Sequence, residues 1–217
     1  RLGSPDRPRI LGRNDMIERL VAFFKARGLA SAIIAVAILG LAGVLYVIST
    51  ALVSSAPGPL DSYARGAMSG FMSVNEPPAQ PLGRIVTGEG EEITLADRRG
   101  KLVLVNFWAT WCAPCVVEMP ELDALQARLG SDQFEVMAIS MDRTMDEARR
   151  FYEENGLEHL ALYHDPALRL AISAGSRGLP TTILYDRHGG EIGRLSGEAA
   201  WASEDAIALI EAALERY

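Results

Sequence analysis

The sequence predicts an α/β fold, a sandwich around a central mixed β-sheet, preceded by a single N-terminal transmembrane helix. Three observations lead there. Residues 29–53 contain no charged side chain. Further on, two apolar runs of strand length, LVLVNFW and FEVMAIS, flank a helical stretch. Near the end, two short strands joined by Arg187-His188-Gly189-Gly190 precede a last helix. Strand–helix–strand units make parallel neighbours and a hairpin makes antiparallel ones, so one sheet holds both.

The 217 residues allow one domain of ordinary size plus extra segments. The chain begins at Arg1, and Met16 offers an internal start. The net charge of −7 conceals a division. Residues 1–28 hold seven Lys/Arg against three Asp/Glu, a basic arm expected in the cytoplasm; the remainder holds fourteen against twenty-five. A body this acidic, without a basic cluster to neutralise phosphates, excludes nucleic acid as a partner.

At about 1.5 Å per residue, a helix over residues 29–53 is long enough for a hydrocarbon core of roughly 30 Å. The span is expected to act as a signal-anchor in the lipid bilayer. The alternative is a cleaved signal peptide, for which Ser54, Ser55 and Ala56 offer small residues. Arg13, Arg19, Lys25 and Arg27 precede the span, whereas Asp61 and a lone Arg65 follow it. Positive flanks stay inside, which puts the rest of the chain outside, in a bacterium the periplasm, where disulfides persist.

Residues 54–81 mix Ser, Pro, Gly and Ala and read as a linker, with a short helix around residues 63–71. The folded domain is expected over residues 82–217. Its strands are 85–86, 92–95, 102–108, 134–140, 181–186 and 191–195; the apolar run over 102–108 suits a strand covered on both faces. Its helices are 112–129, with Leu122, Leu125 and Leu129 at helical spacing, 144–155 closed by Gly156, 166–174 and 201–217.

The chain has two cysteines, Cys112 and Cys115, three positions apart. A framework of several disulfides and a four-cysteine zinc site are both excluded. A redox pair or half of a metal site remains. His159, His164 and His188 show no ligand-like spacing to the pair, and a disulfide across so small a loop stabilises little. The motif sits where a buried strand meets a helix. There the unpaired N–H groups and positive end of the first turn favour a thiolate. Cys112 is therefore expected as the exposed nucleophile and Cys115 as the buried partner that resolves the mixed disulfide. Pro114 suits the first turn, where its missing N–H costs nothing. Such chemistry needs no cofactor beyond the Cys112–Cys115 disulfide.

The segment NFWATWCAPCVVEMPEL resembles the active-site region of the thioredoxin superfamily and, more narrowly, the membrane-tethered TlpA, ResA and CcmG group. Asp97-Arg98-Arg99-Gly100-Lys101, Glu118-Met119-Pro120 and Gly178-Leu179-Pro180-Thr181 resemble that group at the expected places, and Trp201-Ala202-Ser203-Glu204-Asp205-Ala206 is similar to TlpA in particular. The resemblance covers residues 82–217 and the anchor architecture. It departs at one point: the additional cysteine pair of TlpA proteins has no counterpart here.

The resemblance implies a thioredoxin-like fold and a thiol–disulfide oxidoreductase facing the periplasm. It implies a reductase fed by a membrane thiol reductant. The implied client proteins belong to respiratory assembly: copper-handling proteins, cytochrome oxidase subunits or apocytochrome c. It makes Glu118 a functional acid that tunes the cysteines, since a carboxylate near a thiol raises its pKa; spacing alone leaves a solvated helix glutamate equally open. It makes Pro180 a cis-proline that frees the Leu179 backbone to pair with an extended substrate; without it, a trans proline before a strand is the simpler reading. Trp111, which precedes the nucleophile, is read as lining the docking surface. Trp108 is read as packing, Pro120 as a helix bend, Glu121 and Asp123 as surface residues. Asn106, polar in a buried strand, has no role from sequence. Two alternatives stay open. A copper-binding chaperone would use the two thiolates as soft ligands with His188 as a stray third, and a disulfide-donating oxidase would have a strongly depressed Cys112 pKa.

Overall fold

Strands β4 (Leu102–Trp108) and β5 (Phe134–Ser140) form the middle of the sheet, and all seven residues of β4 are buried. The computed structural model describes residues 13–54, 58–78 and 80–217. The first twelve residues of the expected basic arm lie outside the described residues, as do residues 55–57 at the start of the expected linker, with Ser55 and Ala56 of the alternative cleavage site. The chain divides into two units, the first ending at residue 56.

The first unit is one continuous helix, α1 (Arg13–Ser54), which runs through the boundary expected at residue 28. Its stretch Ala30–Thr50 is long and apolar enough to cross a membrane. The hydroxyls of Ser31, Ser49 and Thr50 donate to carbonyls of the preceding turn at 2.8–2.9 Å. Their polarity is thereby satisfied within the helix, as a lipid environment requires.

The second unit contains an eight-stranded sheet in the order β1-β8-β7-β4-β5-β6-β2-β3. Besides the two central strands these are β1 (Met72–Ser73), β2 (Arg84–Thr87), β3 (Glu92–Thr94), β6 (Tyr163–His164), β7 (Thr181–Tyr185) and β8 (Glu191–Ser196). β4 runs parallel to β5, from Leu102 opposite Phe134 to Trp108 opposite Ser140, and antiparallel to β7 on its other side. The helices are α2 (Ala113–Leu129), α3 (Met145–Asn155), α4 (Arg169–Ser173) and α5 (Glu204–Arg216). Thr144 and Glu147 form a capping box on α3, and Gly156 ends it in the left-handed conformation, φ 63°.

Because side chains alternate along a strand, β4 serves two cores. Leu102, Leu104 and Trp108 join Met119, Leu122 and Leu125 of α2 and Ile207 and Ile210 of α5. Val103, Val105 and Phe107 join a second cluster with Ile85, Met137, Leu170 and Tyr185.

The expected linker is corrected in the structure. Within residues 58–78, Leu60, Met68 and Phe71 are buried in the first core, and β1 pairs antiparallel with β8. The Asp61 carboxylate accepts from the Gly58 N–H at 2.6 Å and the Ser73 hydroxyl at 2.7 Å, which closes this segment on itself. Phe71 occupies the space that a β-carbon on Gly193 would need. Three apolar side chains so sparsely spaced make no helical or strand period, so the segment looked like a spacer. The helix expected over residues 166–174 is shorter, Arg169–Ser173, with the buried Asp165 carboxylate accepting backbone N–H groups of Arg169, Leu170 and Ala171. The last helix starts at Glu204, with Ser203 as N-cap.

Candidate active site

β4 ends at Trp108, and four residues later Cys112 is the N-cap of α2, with extended backbone at φ −93°, ψ 100°. Pro114 lies in the first turn of the helix, as expected. Cys112 and Cys115 are joined in a disulfide, their Cα atoms 5.2 Å apart. Cys115 is fully buried and Cys112 retains 7% exposure. The accessible member is the expected one, but its expected exposure is corrected: bonded to the sulfur of Cys115, it is drawn against the helix end.

Trp111, by contrast, is 71% exposed. It lines an apolar groove of about 200 Å³ with Met141, Leu168, Ile172, Gly178 and Leu179. Leu168 adopts a positive φ of 55° there. The Leu179–Pro180 peptide is cis, and Pro180 is buried.

Glu118 follows Cys115 by one helical turn, on the same side of α2, and is 1% exposed. Its Oε1 accepts from Asn106 Nδ2 at 2.7 Å, and its Oε2 accepts from the Ala199 N–H and Trp201 Nε1, both at 3.2 Å. Burial pushes the carboxyl up to about 7, against the pull of these three donors. Asn106 also donates to Thr182 Oγ1 at 2.9 Å. It is the neighbour of Glu118 that sequence reasoning left without a role. The available signal was its position: the polar exception in a strand otherwise apolar on both faces, six residues before Cys112.

The expected surface position of Asp123 is corrected. It is 9% exposed and its Oδ1 accepts from the backbone N–H groups of His159 and Leu160 at 2.8 and 2.9 Å. Glu121 accepts from the Ala202 N–H at 3.3 Å. Trp108 is packing: its ring is tilted against Phe151 and stacked on Tyr152, with centroids 5.1 and 5.9 Å away. His188 is exposed in the turn between β7 and β8, and His164 is buried. Among the described residues no three His, Cys, Asp or Glu side chains converge as a metal site would require.

A mixed sheet of this topology, with a two-cysteine disulfide at the head of the helix after its central strand, defines the class: a thiol–disulfide oxidoreductase of thioredoxin-like fold. The AhpC/TSA family model matches residues 78–192, and the chain belongs to that family. It is 37% identical over 132 residues to the thiol:disulfide interchange protein HelX of Rhodobacter capsulatus, covering 60% of this chain and 72% of HelX. It is 34% identical over 110 residues to the thiol-disulfide oxidoreductase ResA of Bacillus thuringiensis, covering 51% of this chain and 63% of ResA, a little under two thirds. Among solved structures it is similar to a secreted thiol-disulfide isomerase from Corynebacterium glutamicum, with a TM-score of 0.56 and 25% identity over 67% of this chain and 90% of that one. A DsbF homologue from Corynebacterium diphtheriae gives 0.54 and 27%, over 65% and 92%.

Proposed function

We propose that the protein is a membrane-anchored, periplasm-facing reductase of client disulfides in respiratory assembly, the clients being copper-handling proteins, cytochrome oxidase subunits or apocytochromes c. The observation that carries this reading is the Cys112–Cys115 disulfide at the head of α2, with the buried Glu118 one turn behind it. In the reduced protein the Cys112 thiolate attacks a client disulfide. One client sulfur leaves as a thiolate and takes up a proton, while the other stays bonded to Cys112. The Cys115 thiol then loses its proton, attacks Cys112 Sγ and releases the second client sulfur. Two electrons have passed to the client, and the resulting Cys112–Cys115 disulfide is reset by a membrane thiol reductant. Glu118, which titrates near neutrality, holds or gives up the proton that the exchange moves. Trp111, Leu179 and Pro180 form the docking surface for an extended client segment. The span within α1 is the anchor, and the basic flank before it keeps that end in the cytoplasm.

Trapping in the native host tests this. A Cys115→Ser variant keeps the attacking thiol and lacks the resolving one, so covalent complexes that dissolve on reduction accumulate, whereas Cys112→Ser accumulates far fewer. Captured partners should be exported proteins; exclusively cytoplasmic ones would overturn the orientation. Failure of either variant to trap partners, with purified wild type carrying copper near one per chain, would establish the copper-chaperone alternative instead.

A further inference from the structure

A second carboxylate lies near the cysteines and takes no part in the exchange just described. Asp142 follows β5, is 1% exposed, and has no cation partner among the described residues. Its Oδ1 accepts from the Thr110 hydroxyl at 2.8 Å and the Thr110 N–H at 3.1 Å, and its Oδ2 from the same N–H at 3.2 Å and the Ser140 hydroxyl at 2.9 Å. The aspartate is itself held. Its N–H donates to Ser140 Oγ at 3.1 Å, and its carbonyl oxygen lies 2.9 Å from His164 Nε2 on β6. A buried unpaired carboxylate is costly unless hydrogen bonds replace its water, and here they do.

What those bonds hold is the connection from β4 to the nucleophile. Trp108 accepts from the Met141 N–H at 2.8 Å, and the Cys112 N–H closes a turn on the Ala109 carbonyl at 3.1 Å. Between these two points, Thr110 is fastened to Asp142. Trp111, immediately beyond, stands exposed beside Met141 in the apolar groove. We propose that Asp142 is a positioning residue for the redox pair: by clasping the N–H and hydroxyl of Thr110 it fixes the turn that presents Trp111 and Cys112 at the head of α2. This rests on the reading of Cys112 as the attacking thiol.

The test uses the reduced full chain in detergent micelles, with each cysteine's rate of alkylation by iodoacetamide read by mass spectrometry at neutral pH, well below each variant's melting temperature. In wild type, Cys112 should react at least about tenfold faster than Cys115. Asp142→Ala should reduce that ratio to below about threefold. Asp142→Asn, which keeps an oxygen facing Thr110, should restore it, a rescue that mere stabilisation of the fold would not produce. Should Asp142→Ala fail to fold, Thr110→Val decides, because it deletes one leg of the clasp at constant shape and should lower the ratio by two- to fivefold. A folded Asp142→Ala with the wild-type ratio, an unchanged Thr110→Val, or an Asp142→Asn as impaired as the alanine variant overturns the proposal. Wild type that labels Cys115 first overturns the nucleophile assignment, and this proposal with it.

Discussion

The two faces of β4 are equally buried and differ in one residue. Toward α4 the strand presents Val103, Val105 and Phe107, and the cluster they join is apolar around the strand. Toward α2 and α5 it presents Leu102, Leu104 and Trp108, with Asn106 among them. That amide reaches Glu118, which in turn reaches Trp201 and the backbone at Ala199. One face of the strand is apolar throughout; on the proposed function the other couples the scaffold to the cysteines. A buried polar group is retained where its hydrogen bonds specify something, and here they specify the environment of an acid one turn from Cys115.

The contrast can be broken most severely at the cysteine face. Cys112→Ser should slow disulfide exchange with a client by at least about a thousandfold while leaving the melting temperature of the reduced protein within error; exchange at near wild-type rates would remove this face from the chemistry altogether.

Glu118→Gln should slow exchange about tenfold at neutral pH, as loss of an acid that titrates in the working range. It should also change the pH dependence of stability. The folded carboxyl titrates at about 7 against an ordinary 4.5, so between those values the native state keeps a proton that the unfolded state has lost. Stability then falls as pH rises through this window, by up to about 3 kcal/mol from this group. Urea unfolding at pH 5 and pH 8 should show that loss in wild type and a flatter profile in the variant. Equal slopes would mean that Glu118 titrates as an exposed residue does.

The smallest effect belongs to the other face. Among the described residues Tyr185 Oη is buried without a hydrogen-bond partner, so Tyr185→Phe should leave exchange unchanged and raise stability by no more than about 1 kcal/mol. A loss of exchange rate in that variant would extend the functional face across the sheet.

The central strands were legible residue for residue, since a strand covered on both sides reads as a run of mostly apolar residues, broken here by Asn106, Glu135 and Ser140. β1 and β6, two residues each, have no room for a period to show. The burial of Leu60, Met68 and Phe71 was hidden because they meet the core through the fold and not through their own spacing. At the site, the cysteine pair stood out by count and position. The partners of Glu118 did not, because Asn106 precedes it by 12 residues and Trp201 follows it by 83, contacts that exist once sheet and helices have packed. Asp123 was misplaced for the same reason: its acceptors serve backbone N–H groups 36 and 37 residues onward.

The three tryptophans divide in a way that makes the protein its own optical probe. Trp108 and Trp201 are fully enclosed, and Trp111, the sequence neighbour of Cys112, is 71% in solvent. Iodide in solution can collide with that indole and with neither of the others, so the quenchable part of the fluorescence is a signal from the redox end alone. A client docked as proposed would shield that emission, so the encounter can be timed in the unlabelled chain.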